Sequence, residues 1–433
     1  MDELVEMANW FGWKSPYNPV VVDSLPTPKF TIKDRPQTSF STNNYLGIAT
    51  SPRVKAAAIR GIKTYGVGNS DSRLLGGNLG LYGEVERKLA NINGASHAIL
   101  FATGYLANIG ALSTLPRINS IARAFGYTAS RDYTYAYFSD EYNHVSIREG
   151  MRLSGARRHS YRHLDLNHLE HLLRRATETS KIIVTDGVFS QDGDIAPIPD
   201  LLRLAERWNA MVYVDDAHGA GVLGNSGGGV LDHFKVDSDR LIYMATLSKA
   251  YGTIGGFVVA NGLITEALRM CSAAYGFTAT LPPDQAMVIS TAIDVVADEP
   301  ERRRRLWDNQ RYFVKRMAEL SYRLVSTVTP IVPVWLGEDA KTQQLATAIR
   351  AEGIHVDAIS FPAVPLKSGR LRIQLNAGHS RKDIDHLVDI LERNQHLAEP
   401  ARRFATAVVK RDHRPAALIR PSTPVAAAQA VLE

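Results

Sequence analysis

Between Pro52 and Ala260 the chain alternates stretches of helical periodicity with short β-rich runs, and this alternation limits its possible folds more than any other feature. The runs are His97–Ala102, Tyr135–Ser139, Lys181–Thr185, Met211–Val214, Leu241–Ala245 and Phe257–Ala260, and the first helical stretch is Pro52–Tyr65. Strands separated by helices predict an α/β fold with a mainly parallel sheet and helices on both faces. Sheets of this kind bind ligands in the crevice outside the carboxyl ends of their strands.

The flanks read differently. The beginning of the chain carries Pro16, Pro19, Pro26, Pro28 and Pro36 and is expected to be an irregular arm, residues 1–45. Residues 46–300 then form a large domain. After Pro300 a charged helix is expected to about Arg323, followed by a mixed segment ending near Arg393; together these make a smaller α+β domain, 301–395. Residues 396–433, rich in Ala, Pro and Arg, read as a flexible tail. No internal repeat is visible.

Bulk properties exclude several classes of function. The 433 residues, 45% hydrophobic and 22% charged, suit a soluble globular protein. A single cysteine, Cys271, rules out an intramolecular disulfide and fits a reducing compartment. The N-terminus begins with acidic residues and lacks a signal-length apolar core, and no window is apolar enough for a membrane span. A cytoplasmic location is therefore expected. The net charge of +6 is dispersed apart from Arg302–Arg305 and the tail. It does not suggest nucleic acid, and the arginine run is expected to be a solvated helix face. A basic rim would also suit a phosphate-bearing substrate carrier.

Chemistry concentrates in two segments. Asp215-Asp216-Ala217-His218-Gly219 follows the apolar run Ala210–Val214, and Lys249 lies downstream in Thr246-Leu247-Ser248-Lys249-Ala250-Tyr251-Gly252. Taken alone, the acidic pair reads as a cap or turn and the lysine as a solvated surface group. Together they match what pyridoxal 5'-phosphate requires. An amine forms a Schiff base with its aldehyde, and a carboxylate keeps its pyridine nitrogen protonated so that the ring accepts electrons. Such a lysine must be depressed in pKa by desolvation or neighbouring positive charge. His218 is placed to meet the ring hydroxyl. Gly104 and Tyr105 open a helical stretch after a strand, where backbone N–H groups can hold a phosphate.

These segments, with Thr42-Asn43-Asn44-Tyr45-Leu46-Gly47, Gly66–Asn78, Asn143-His144, Asp186–Asp194, Phe277–Pro283 and Arg370-Leu371-Arg372, resemble the α-oxoamine synthases. That family includes serine palmitoyltransferase, 5-aminolevulinate synthase, 8-amino-7-oxononanoate synthase and 2-amino-3-ketobutyrate ligase. The resemblance implies the type I fold of pyridoxal phosphate-dependent transferases, with a seven-stranded sheet and a homodimer sharing its active sites. It also implies condensation of an amino acid with an acyl thioester, on coenzyme A or acyl carrier protein, with loss of carbon dioxide.

The resemblance further implies roles for individual residues. Lys249 anchors the cofactor and acts as base, His144 stacks on the ring, and Asp215 and His218 contact it. Gly104, Tyr105 and Thr246 hold the phosphate, with Thr280 donated by the partner chain. Ser190 contacts the ring hydroxyl, and Asp186 stands where a glutamate is common. Arg372 grips the amino-acid carboxylate, assisted by Asn43; Arg370, two positions away, is separately expected to point to the opposite face if this segment is a strand. Ser72, beside Arg73, leans the reading towards serine palmitoyltransferase-like members and so towards serine or alanine over glycine.

Tyr82 replaces a family histidine, and an insertion at roughly Arg117–Tyr133 is either a surface loop or a substrate-access element. No metal site is expected. An aminotransferase, or the non-catalytic subunit of a heterodimeric synthase, would share this fold. The presence of Lys249, Asp215, His218 and His144 speaks against the second.

Overall fold

The computed structural model describes residues 1–10, 12 and 20–398. Its centre is a seven-stranded sheet in the order Ala98–Phe101, Gly256–Val259, Leu241–Thr246, Ala210–Asp215, Ser180–Asp186, Tyr135–Asp140, Arg157–Tyr161. Pairing is parallel from Leu241–Thr246 to Arg157–Tyr161, and Gly256–Val259 runs antiparallel to both neighbours. The inner strands carry runs such as Ile182-Ile183-Val184 and Val212-Tyr213-Val214 that are buried on both faces. Parallel sheets covered by helices demand this apolarity. The six predicted runs are all strands, within one or two residues of their expected bounds. The seventh strand, Arg157-Arg158-His159-Ser160-Tyr161, gave no apolar signal because it is an edge strand with mostly solvent-facing residues.

In-register pairing across the middle of the sheet sets Asp186 directly beside Asp215, and Thr246 opposite Gly256. Functional candidates from three strands therefore end at one crevice. The helices Gly104–Thr114 and Val145–Ser154 pack together on one side, close enough that a Cβ on Gly150 would lie 2.8 Å from the Asn108 carbonyl.

Beyond Pro300, the helices Glu301–Met317, Asp339–Ala351 and Arg381–Arg393 accompany a four-stranded antiparallel sheet ordered Arg323–Leu324, Ile331–Gly337, Gly369–Gln374, Asp357–Ile359. The helix after Pro300 thus ends six residues before Arg323. The arginine run at its start is not a solvated face throughout. Arg303 is 6% exposed and donates to the carbonyls of Val296 and Asn225, while Arg302 donates to that of Leu46.

The N-terminal region also departs from an irregular arm. Asp2–Trp10 is helical, and Lys29–Ile32 forms a hairpin with Arg35–Ser39, which pairs in parallel with Ile354–His355. The positive φ angles of Lys33 (47°) and Asp34 (60°) make the tight turn, a conformation for which the sequence carries no glycine signal. Most of the expected tail lies outside the described residues. Among those described, no helix is long and apolar enough to cross a membrane.

Candidate active site

At the carboxyl ends of the central strands lies a cavity of about 370 Å³. Nine of the predicted residues line it: Gly104, Tyr105, His144, Asp186, Ser190, Asp215, His218, Thr246 and Lys249. They come from separate strands, loops and one helix start, and the sheet topology alone brings them together.

Lys249 extends into the cavity from the loop after Leu241–Thr246. Its Nζ lies 2.9 Å from His218 Nε2, and His218 Nδ1 lies 2.8 Å from the Tyr45 hydroxyl. Burial, reinforced by Arg372 and opposed chiefly by Asp215, lowers the lysine from 10.5 to about 8. Burial and the positive field of Lys249 likewise hold His218 well below the ordinary histidine value. The neutral amine, the state a nucleophile or base requires, is thereby far more accessible near physiological pH than in an ordinary lysine.

Asp215 is 4% exposed. Its Oδ2 accepts from Asn108 Nδ2 at 2.7 Å and its Oδ1 from the Ala217 N–H at 3.1 Å. Both oxygens are oriented, so the carboxyl group is held facing the cavity. Asp186 sits alongside, pushed well above the usual carboxylate range by burial and by repulsion from Asp215. Asp216, next in sequence, belongs to a different environment. It accepts from the Val230 N–H at 2.8 Å and the Tyr243 hydroxyl at 3.0 Å, and burial raises it to about 7. Of the acidic pair, one member faces the cavity and the other ties loops beneath it.

The first turn of Gly104–Thr114 borders the cavity. Thr103 caps the helix by accepting from the Leu106 N–H at 3.1 Å, leaving earlier amides of the turn for an anion. A Cβ on Gly104 would fall 2.8 Å from Thr246 Cβ, and one on Gly256 would fall 2.5 Å from Gly104 Cα. Only glycine lets these segments approach so closely. Thr246 Oγ1 faces Ser248 Oγ at 2.8 Å. A glycine-lined helix start with two hydroxyls fits a phosphate. A buried carboxylate and a depressed lysine across the cavity fit a pyridine nitrogen and an aldehyde. The donor set therefore suits pyridoxal phosphate.

His144 caps the helix Val145–Ser154 and also lines the cavity. Arg372 does not line the cavity but is bound to a residue that does: its Nε donates to the Ser190 carbonyl, and its Nη1 lies 3.8 Å from Asp357. Arg370 does not turn away. Residues two apart in a strand share a face, and Arg370 pairs with Asp192 in the same loop that Arg372 reaches. Asn43 is connected indirectly, accepting from Gln374, which also donates to the Tyr45 hydroxyl at 3.3 Å.

Ser72 and Thr280 do not line the cavity. The Ser72 amide is turned onto Asp71 and its hydroxyl is buried without a partner, while Thr280 is half-buried in the segment after the exposed Phe277. No residue of the insertion borders the cavity either; it carries a short helix, Ile118–Arg123, and exposes Phe125 and Tyr127. Tyr82, buried, donates to the Leu281 carbonyl at 2.6 Å.

Sequence reasoning missed Tyr45, Asn108 and Ser146, which orient the residues it found. The available signal was an asparagine inside the apolar helix Gly104–Thr114 and a tyrosine within the segment Thr42–Gly47.

The family described as aminotransferase class I and II matches residues 35–391. The chain is similar to the 8-amino-7-oxononanoate synthase of Alkaliphilus oremlandii, 38% identical over 357 residues covering 82% of this chain and 87% of that protein. It is likewise similar to the synthase of that name from Symbiobacterium thermophilum, 38% identical over 387 residues covering 89% and 95%. Among solved structures, serine palmitoyltransferase from S. paucimobilis with bound PLP–myriocin aldimine superposes with a TM-score of 0.82 at 29% identity, covering 92% of this chain and 98% of that one. The 8-amino-7-oxononanoate synthase of Francisella tularensis gives 0.69 at 26%, covering 83% and 97%.

Proposed function

The chain belongs to the α-oxoamine synthases, pyridoxal phosphate-dependent acyltransferases within the class I and II aminotransferase family, and from that membership we propose that it condenses a small α-amino acid with an acyl thioester. The products are an α-amino ketone, carbon dioxide and the free thiol. What carries the reading is the lysine lowered to about 8 and set 2.9 Å from His218, in one cavity with an oriented Asp215 and a glycine-lined helix start.

Bound in this cavity, pyridoxal phosphate supplies an aldehyde for amine attachment and a ring that withdraws electrons from the substrate Cα. Asp215 holds the proton on the ring nitrogen. The first turn of Gly104–Thr114, with Thr246 and Ser248, binds the phosphate, and His144 and Ser190 orient the ring. Lys249 anchors the cofactor in the resting state. Its Nζ, kept in place by His218, would also serve as the base for the proton on the amino-acid Cα. Arg372 binds the amino-acid carboxylate bidentately, a geometry that the guanidinium fork suits.

Serine or alanine is the favoured amino acid, with glycine next, and the acyl donor is a thioester of coenzyme A or acyl carrier protein. The active unit is a homodimer in which Thr280 of each chain serves the other's cavity. The test is incubation with a panel of amino acids and acyl thioesters, following thiol release and product mass. Keto-acid formation without thiol release would identify an aminotransferase instead.

A further inference from the structure

Asn108 is 1% exposed, four residues into a helix that is otherwise apolar on its inner face, and every hydrogen-bonding direction around it is determined. The Tyr213 hydroxyl lies 2.8 Å from Asn108 Oδ1, Asp215 Oδ2 lies 2.7 Å from Nδ2, and Ser146 Oγ lies 2.8 Å from Nδ2. The reverse amide orientation would aim an oxygen at the carboxylate of Asp215, acceptor against acceptor. The NH₂ group is therefore the one that faces Asp215 and Ser146, and it spends one hydrogen on each.

The consequence passes to Ser146. Its oxygen accepts from Asn108, and its own proton is left for the other polar atom in reach, His144 Nδ1 at 2.7 Å. The Ser146 backbone N–H points at the same nitrogen from 3.3 Å. Two donors aimed at Nδ1 make it an acceptor, so the neutral imidazole carries its proton on Nε2. Among the described residues Nε2 has no protein hydrogen bond, and His144 lines the cavity.

We infer that Asn108 is a positioning residue that couples Asp215 to His144: one side of its amide orients the Asp215 carboxylate, and the other, through Ser146, fixes the His144 tautomer whose Nε2–H faces the cavity. One buried side chain thus sets both the carboxyl group that would meet the ring nitrogen and the donor presented by the imidazole. The inference rests on the reading of Asp215 and His144 as site residues. The carbonyl side of Asn108 is held by Tyr213, which shares a strand face with Asp215, so helix and strand cannot shift without breaking the relay.

The experiment is nitrogen NMR of the full-length, cofactor-loaded protein labelled with ¹⁵N-histidine, recorded at pH 8, with the His144 signals assigned by their loss in His144→Gln. The expected result is an Nε2–H tautomer in the wild type. Ser146→Ala should lower the tautomer preference at least tenfold, and Ser146→Thr, which keeps the hydroxyl, should restore it. Asn108→Asp keeps the shape but removes the donors; it draws the Ser146 proton away from His144 and should likewise lose the preference. If Asn108→Asp fails to fold, the two Ser146 variants carry the test. An Nδ1–H tautomer in the wild type, or a tautomer unmoved by Ser146→Ala, overturns the inference. Because tautomer is read without turnover, this failure is distinguishable from failure of the proposed reaction, which product mass reports.

Discussion

Replacing Lys249 by methionine should make the cofactor-free protein more stable, because the lysine is held for chemistry at the expense of folding. Its pKa falls from 10.5 to about 8, chiefly through burial. At 1.36 kcal/mol per unit, that shift corresponds to about 3 kcal/mol against the charged form, and partial access to solvent through the cavity trims it to about 2 kcal/mol. Methionine keeps the stem and removes the charge. The folded-state pKa lies below the unfolded value, so below about pH 8 both states are protonated and the full penalty applies. Between pH 8 and 10.5 the folded state sheds the proton that the unfolded chain retains, and the penalty shrinks as pH rises. Above 10.5 it is gone. Denaturant unfolding of the cofactor-free wild type and Lys249→Met from pH 6 to 11 measures the difference directly. Equal stability at pH 7, or an advantage for the variant that grows with pH, would refute the reasoning.

Borohydride treatment of the cofactor-loaded protein should fix the pyridoxyl group on Lys249, as peptide mapping would show, and a label on any other lysine rejects the anchor. Mixing a Lys249→Ala chain with a Thr280→Ala chain should recover part of the activity in mixed dimers; a fully active monomer in sedimentation excludes shared sites. Arg372→Leu should weaken apparent amino-acid affinity about a hundredfold, on the order of 3 kcal/mol for a lost charge-assisted contact. Arg370→Leu should change it only a few-fold, because that guanidinium is engaged with Asp192, and substrate titration of the two variants compares them. Burial disfavours the charge on His163, but its hydrogen bonds to Asp140 and Asp194 outweigh this and raise it to about 10. His163→Gln should therefore cost about 3 kcal/mol at pH 6. That loss should be largest below the unfolded value of 6.5 and fade towards pH 10, as urea unfolding across this range would reveal.

The site was legible where chemistry restricts residue type. Lysine, carboxylate, histidine and glycine each answer to a separate demand of the cofactor; with the residues that the family resemblance added, such as Ser190 and Thr246, nine of those named line one cavity. Residues that orient those groups were not legible. Asn108 and Tyr45 act through contacts with residues 107 and 173 positions away, and a buried amide or hydroxyl looks the same in sequence whether it supports an active site or an ordinary core. The edge strand Arg157–Tyr161 and the hairpin near Lys29 escaped notice because neither needs an apolar pattern to form.

The alternation of apolar runs with helical stretches by itself determined that the protein is an α/β sheet structure, because buried parallel strands must be apolar and must be joined by crossovers. That a lysine and an aspartate serve one cofactor was read instead from their residue types and from the family resemblance. Asp215 was already the expected crevice-facing member, from its place directly after the apolar run; how each member of Asp215-Asp216 is held was decided only by the tertiary structure. Asp215 is the strand's last residue and is caught by Asn108, whereas Asp216 is held beneath it by Val230 and Tyr243. The same holds for the two arginines. Strand periodicity puts Arg370 and Arg372 on one face, and the partners waiting across the gap, Asp192 for one and the Ser190 carbonyl for the other, set their different places.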